Sequence, residues 1–206
     1  MYKIDRLVLG SYENNCYILR SEDSSTCVLI DPGCEAPHIL DSVRALGLTV
    51  EAILLTHGHF DHVLAVKEIT EATGCPVWMH EADHHPQAGA MLDFFYPLTS
   101  QTLPDLRYCT DGEILNLAGL EITVLAVPGH TNGSVCYQFD DVLITGDTLF
   151  AGSIGRTDLP GGSYQIIMRS LKRLTALTEN FRILPGHGGE SNLNAEKHRN
   201  PYLRGL

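Results

Sequence analysis

The stretch LLTHGHFDHV, residues 54–63, constrains this chain more than any other part of its sequence. The mostly apolar run at residues 50–55 predicts a buried strand that ends abruptly. Four side chains able to bind a metal follow within six positions: His57, His59, Asp61 and His62. Two histidines two residues apart on extended backbone point to the same side and can share a cation, while the Asp–His pair can reach a second one. Two donors leave each cation under-coordinated, so we expect further ligands elsewhere in the chain.

Three Gly-rich turns supply such residues, each directly after an apolar, strand-like run. They are VPGHTNGS with His130, LITGDTLF with Asp147 and ILPGHGGE with His187. Glycine lets the backbone pass close to an ion. A carboxylate has two oxygens, so Asp147 suits a position shared by two cations. Each residue alone would be an ordinary turn residue, but together the strand ends predict a metal site.

Hydrophobic periodicity predicts an alternation of strands and helices along the chain. The predicted strands cover residues 16–20, 27–31, 53–55, 77–80, 114–117, 121–127, 135–139, 142–145 and 182–184. The predicted helices cover residues 35–46, 63–73, 163–177 and 194–199, and residues 81–104 are expected to be irregular. No Pro/Ser-rich linker, charge block or low-complexity segment interrupts the chain, so we expect a single domain over residues 1–206.

The two halves of the chain resemble each other weakly. The segment NNCYILRSEDSSTCVLIDPG predicts a hairpin that ends in Asp31 and is followed by a helix, a strand and THGH. The segment NGSVCYQFDDVLITGD predicts a hairpin that ends in Asp147 and is followed by a helix, a strand and PGHGG. Two such halves packed sheet to sheet, with helices outside, would bring the polar strand ends to one edge. Chance similarity is the alternative, because βαβ-like units are common.

Composition argues against several classes of function. The chain of 206 residues is 44% apolar, carries a net charge of −11 and has no apolar stretch near the ~20 residues of a membrane span. An acidic protein is a poor ligand for nucleic acid or for an anionic membrane, since both need clustered Lys and Arg. The N-terminus lacks the apolar core of a signal peptide, which predicts a cytoplasmic protein. The six cysteines form no CxxC pair and are expected to be reduced thiols.

The metal motifs resemble those of a known family. The string THGHFDH, followed in order by His130, Asp147 and His187, is similar to the five-motif pattern of the metallo-β-lactamase superfamily. Asp31 in LIDPG matches the first motif of that family, in which the Asp orients a ligand rather than binding metal itself. Within the superfamily, GDTLFAGSIGRTDLPGG and ILPGHGGESNLNAEKHRNPYL resemble the glyoxalase II branch, the hydroxyacylglutathione hydrolases, and its short single-domain members most.

This resemblance implies an α/β fold, a four-layer αββα sandwich with a binuclear metal centre at one edge of two sheets. It assigns His57, His59 and His130 to the first metal. It assigns Asp61, His62 and His187 to the second metal, with Asp147 bridging the two. The implied cofactors are two divalent metal ions, with zinc favoured and iron or manganese as alternatives.

The implied reaction is hydrolysis of a thioester or ester, with S-lactoylglutathione as the type substrate. Two neighbouring cations lower the pKa of a shared water, so hydroxide is available to attack the carbonyl near neutral pH. Asp61 would orient this hydroxide and relay its proton. Arg156 in IGRTD is the candidate for contact with a small-molecule substrate, the alternative being a salt bridge with Asp158 that shapes the loop. The oligomeric state is left open.

Three other functions compete with this interpretation. A persulfide dioxygenase shares the GRTD string but uses one Fe²⁺ held by two His and one Asp. A lactonase would use the same hydrolytic centre, and a non-catalytic metal-binding protein would use the ligands alone. Long glyoxalase II enzymes carry a C-terminal helical domain that contributes to the glutathione site, and this chain ends at NPYLRGL, where that domain would begin. The sequence therefore predicts the hydrolytic centre more firmly than it predicts glutathione thioester as the substrate.

Other chemistry-bearing residues are assigned to packing or to the surface. The string HEADHHP, which contains His80, His84 and His85, predicts an exposed turn between a strand and a helix. The aromatic residues Phe94, Phe95 and Tyr96 could wall a pocket over the metals, but packing in the core or in a dimer contact is favoured.

Overall fold

Two β-sheets form the centre of the protein. The structure, a computed structural model, describes residues 1–84 and 95–206. Within these residues the first sheet has six strands in the order β1-β2-β3-β4-β5-β6. They are Tyr2–Leu9, Asn14–Ser21, Thr26–Ile30, Thr49–Leu54, Val77–Met79 and Leu106–Tyr108. Strands β1 to β3 are antiparallel, whereas β3 to β6 are parallel.

The second sheet is mostly antiparallel. Its six strands in the described part of the chain are ordered β14-β13-β10-β9-β8-β7. They are β7 (Ile114–Leu117), β8 (Leu120–Ala126), β9 (Val135–Phe139), β10 (Val142–Gly146), β13 (Arg182–Pro185) and β14 (Ser191–Asn192). Strands β10 and β13 pair in parallel, and the other pairs are antiparallel. A short hairpin of β11 and β12, Leu149–Phe150 and Ser153–Ile154, lies beside this sheet.

Helices cover the outer faces of both sheets. They are α1 (Ala36–Ala45), α2 (Phe60–Val63), α3 (Val66–Thr73), α4 (Glu81–His84), α5 (Tyr164–Thr175) and α6 (Leu193–Arg199), with a 3₁₀ turn at Pro97–Ser100. Side chains cap the last two helices, since Ser163 accepts a hydrogen bond from Ile166 N and Asn192 accepts one from Ala195 N. None of the helices in the described ranges is long and apolar enough to cross a bilayer.

Three apolar layers hold these elements together. Between the sheets, Tyr17, Ile30 and Leu54 of the first sheet pack with Tyr137 and Ile144 of the second. Alternate residues of the same strands face outward, where the first sheet packs against α1 and α3 and the second against α5 and α6. The predicted four-layer αββα sandwich is therefore confirmed.

The structure departs from the predicted elements in several places. Strands β6, β11, β12 and β14 were not predicted, and residues 81–104, expected to be irregular, contain α4 and the 3₁₀ turn. The single helix predicted over residues 63–73 is wrong: the chain forms α2 and α3 instead. The backbone N–H groups of Leu64 and Ala65, between the two helices, donate to the carbonyls of Gly33 and Pro32. The N-terminal strand β1 was not predicted, because charged residues interrupt its apolar pattern at the edge of the sheet.

Candidate metal centre

Strand ends from both sheets bring the predicted side chains to one edge of the sandwich. His57 and His59 follow β4, and Asp31 directly follows β3, its parallel neighbour in the first sheet. Asp147 follows β10 and His187 follows β13, which are parallel neighbours in the second sheet. Parallel strands end at the same edge of a sheet, so these pairs lie close together. His130 follows β8, and Asp61 and His62 lie in α2.

The first group of metal donors is a trio of buried imidazoles: His57, His59 and His130. One nitrogen from each ring lies within 4.8 Å of the others. Nδ1 of His59 and Nε2 of His130 are 2.9 Å apart. These three residues can hold one cation with nitrogen donors, as Zn²⁺ prefers.

The second group of donors contains a carboxylate and two imidazoles: Asp61, His62 and His187. Nε2 of His62 lies 3.2 Å from Nε2 of His187, and Oδ2 of Asp61 also lies 3.2 Å from that atom of His187. The group is more open than the first, because His187 and Asp61 are only partly buried.

Asp147 faces both groups. Its Oδ2 lies 3.6 Å from Nε2 of His130 in the first group and 3.6 Å from Nε2 of His187 in the second, and its Oδ1 lies 3.4 Å from Nε2 of His62. Buried Oδ1 of Asp147 and Nε2 of His57 have no hydrogen-bond partner among the described residues. Buried polar atoms rarely lack a partner, and a divalent cation would supply one to these donors. The residues present therefore fit a metal centre.

The Nδ1 atoms of His130 and His187 are held by backbone carbonyls. Nδ1 of His130 lies 2.8 Å from the carbonyl of Arg156, and Nδ1 of His187 lies 2.9 Å from the carbonyl of Tyr12. Such contacts fix the tautomer and the direction of the ring, leaving Nε2 free to bind metal.

Asp31 contacts Thr56, which precedes His57, and His62 of the second group. Its Oδ1 accepts from the backbone N–H of Thr56 at 2.7 Å, and its Oδ2 accepts from the Thr56 hydroxyl at 2.6 Å. The same Oδ2 lies 2.9 Å from Nδ1 of His62. Both oxygens of Asp31 thus contact protein groups, which fits the orienting role that the family resemblance implies. Donor atoms of Asp31, His57 and His62 also lie within 4.8 Å of one another.

Electrostatics divide the histidines into two sets before any cation binds. Burial and the neighbouring imidazoles lower the pKa of His57 well below its usual value and that of His59 to about 3. Burial also acts to lower the pKa of His62, but the Asp147 and Asp31 carboxylates outweigh it and raise that pKa to about 9. His57 and His59 are therefore neutral, as ligation requires, and the carboxylates near His62 attract positive charge.

The turn that follows Asp147 approaches it so closely that only glycine fits there. A β-carbon on Gly155 would collide with the carbonyl oxygen of Asp147. This close approach puts the loop that carries Arg156 beside the donor groups.

A cavity of about 570 Å³ opens over the two groups. Apolar side chains form much of its wall: Tyr12, Phe60, Phe95, Phe150 and Leu159. Arg156 also lines it, while its guanidinium donates to both oxygens of Asp158 at 2.8 Å. Both interpretations of Arg156 are thus compatible with its position.

The aromatic residues before the 3₁₀ turn have two different roles. Tyr96 is buried and donates its hydroxyl to the carbonyl of Pro160, in agreement with the packing role predicted for it. Phe95 lines the cavity instead, which fits the alternative that it walls a pocket over the metals. Phe94 lies outside the described residues, and so does His85.

Sequence reasoning missed several residues that contact the site. Asp83 lies in HEADHHP, but it is buried, so the exposed turn predicted there is wrong at this position. His80 and His84 belong to none of the donor groups found in the described part of the chain. Asn14 is buried too, and its Nδ2 lies 3.1 Å from Nδ1 of His62. No local pattern marks these residues, because their partners are distant in the chain.

Comparison with known proteins agrees with this geometry. A family model described as the metallo-beta-lactamase superfamily matches residues 9–187. The probable metallo-hydrolase YqgX of Bacillus subtilis is 38% identical, over 98% of this chain and 97% of the relative. The hydroxyacylglutathione hydrolase GloC of Haemophilus influenzae is 34% identical, over 97% of each chain. The crystal structure of TTHA1623 in a di-iron-bound form is 38% identical, with a TM-score of 0.83 over 97% of this chain and 100% of the other.

Proposed function

The chain belongs to the metallo-beta-lactamase superfamily, and we propose that it is a metal-dependent hydrolase that cleaves a thioester such as S-lactoylglutathione. The observation that carries this proposal is the pair of donor groups with the Asp147 carboxylate facing both. Two cations held side by side suit hydrolysis of an activated carbonyl.

The cation sites follow the two donor groups. His57, His59 and His130 would hold the first cation, His62, His187 and Asp61 the second, and Asp147 both. Nε2 of His57 and Oδ1 of Asp147, which lack a hydrogen-bond partner in the described part of the chain, support this arrangement. Zinc is favoured because nitrogen and carboxylate donors suit it, and iron or manganese are alternatives. The di-iron form of TTHA1623 supports iron as one of these alternatives.

When bound, two divalent cations acidify a shared water and polarise a carbonyl oxygen. Asp61 borders the cavity and would orient the attacking water and take its proton. Tyr12, Phe60 and Phe95 would hold the apolar part of the substrate and keep bulk water from the reacting carbonyl. Arg156, at the cavity wall, would contact an anionic group of the substrate.

A substrate panel tests the proposed function. The protein is prepared with zinc, iron or manganese and assayed with S-lactoylglutathione, other thioesters, lactones and glutathione persulfide. We expect hydrolysis of a thioester by a form that holds two metal ions per chain. Preferred turnover of a lactone would reassign the substrate class. A single iron per chain together with O₂ uptake on the persulfide would instead identify a dioxygenase.

Arg156→Gln tests the substrate contact. We expect a higher KM for S-lactoylglutathione with kcat nearly unchanged, because the guanidinium would bind the substrate equally in the ground and transition states. Asp158→Asn is the matched variant: it releases Arg156 from its ion pair, so KM should fall. If neither variant changes KM, Arg156 does not bind the substrate and only shapes the loop through its ion pair with Asp158.

A further inference from the structure

Asp83 is a buried carboxylate that the mechanism above does not use. It lies in α4, 1% exposed, and accepts three hydrogen bonds. Oδ2 accepts from the backbone N–H of Gly58 at 2.9 Å and from the hydroxyl of Thr131 at 2.7 Å. Oδ1 accepts from the backbone N–H of Gly133 at 2.6 Å. Burying a carboxylate is costly unless such bonds compensate it.

The donors to Asp83 all lie in the two turns that carry the first group of imidazoles. Gly58 separates His57 from His59, and Thr131 directly follows His130. One of these turns follows β4 of the first sheet and the other follows β8 of the second sheet. A single carboxylate therefore connects the turns across the gap between the sheets.

Gly58 and Gly133 approach Asp83 so closely that neither position has room for a larger side chain. A β-carbon on Gly133 would come within 2.7 Å of Oδ1 of Asp83, and one on Gly58 within 3.2 Å of its β-carbon. Among the hydrogen bonds of the described residues, none joins Asp83 to the second group (Asp61, His62 and His187). Asp83 thus acts on one half of the centre.

We propose that Asp83 is a positioning residue for the first cation, which sets the distance between the His57–His59 turn and His130. This inference rests on the metal ligands of the proposed function. Removing the carboxylate frees the turns to separate, so the three imidazoles no longer converge on one point. Supporting groups of this kind typically change metal affinity by about 10–100-fold.

The test compares Co²⁺ affinity in two backgrounds, each with half of the centre impaired. His187→Ala removes a donor from the second group, and His57→Ala removes one from the first. Asp83→Asn, added to each, should weaken Co²⁺ binding about 10–100-fold in the His187→Ala background and leave it unchanged in the His57→Ala background. Titration calorimetry and the visible absorption of bound Co²⁺ report the affinity and the ligand geometry. Equal weakening in both backgrounds, or in neither, overturns the proposal.

Glu196→Gln is the matched control. Glu196 is also a buried carboxylate, and its three donors, Ser191, Gly152 and Asn200, are not adjacent in sequence to the proposed ligands. Glu196→Gln should lower the free energy of unfolding without changing Co²⁺ affinity, which separates positioning from general stability.

If Asp83→Asn does not fold, Thr131→Val replaces it, because this variant removes one hydrogen-bond donor to Asp83. The proposal is then judged by the same comparison of Co²⁺ affinity between the two backgrounds. Failure of the wild-type chain to bind two cations would instead overturn the proposed function, and this inference with it.

Discussion

Asp147→Asn is expected to lower kcat/KM for thioester hydrolysis by at least about 10³-fold, which corresponds to roughly 4 kcal/mol of lost transition-state stabilisation. Oδ2 of Asp147 faces both donor groups, whereas Oδ1 faces His62 of the second group and has no hydrogen-bond partner among the described residues. An amide keeps only one oxygen and replaces the other with an NH₂ group, which cannot bind a cation. Metal content should fall with activity, and elemental analysis after gel filtration measures it.

Asp23→Asn is the control for this variant. Asp23 is exposed between β2 and β3, away from the cavity wall, so the same chemical change there should leave activity and metal content unaltered. Full metal retention by Asp147→Asn would show that the assignment of Asp147 as a shared ligand is wrong. Far-UV circular dichroism of both variants checks that the fold is intact.

Removal of divalent metal with a chelator should abolish hydrolysis and lower the melting temperature. A cation that binds only the folded chain at 1,000 times its Kd stabilises it by about 4 kcal/mol. For a chain of 206 residues this corresponds to a shift of roughly 8–16 °C. The physical reason is that the buried Nε2 of His57 and Oδ1 of Asp147, which have no hydrogen-bond partner among the described residues, would lose the cation. Differential scanning calorimetry with and without chelator measures the shift.

Adding back zinc, iron or manganese should restore both the melting temperature and the activity. His59→Ala provides the matched control, because a chain that lacks a ligand of the first cation should respond less to the chelator. A wild-type melting temperature and activity that are indifferent to the chelator would contradict the metal-dependent mechanism.

The architecture could be predicted because its signals are local. Apolar runs that end in Gly-rich turns with His or Asp identify both the core strands and the polar edge, as at LITGD and ILPGH. Elements whose residues are charged or half-exposed lack this apolar signal and were therefore not predicted. Strand β1 is an example, because it mixes charged and apolar residues and lies at the edge of the sheet, where it pairs with β2 alone. The break between α2 and α3 depends on carbonyls of Pro32 and Gly33, about thirty residues earlier in the chain.

The sequence by itself determined which metal-competent side chains follow buried strands, because hydrophobic periodicity and turn chemistry act within a few residues. Their division into two donor groups was implied by the family resemblance. Only the tertiary structure decided what holds and surrounds those donors. Asp83 meets Thr131 and Gly133 about fifty residues away, and the carbonyl of Tyr12 meets His187 across 175 positions. Such contacts arise when one sheet closes on the other. The residues next to each partner in the sequence show no pattern that would predict these contacts.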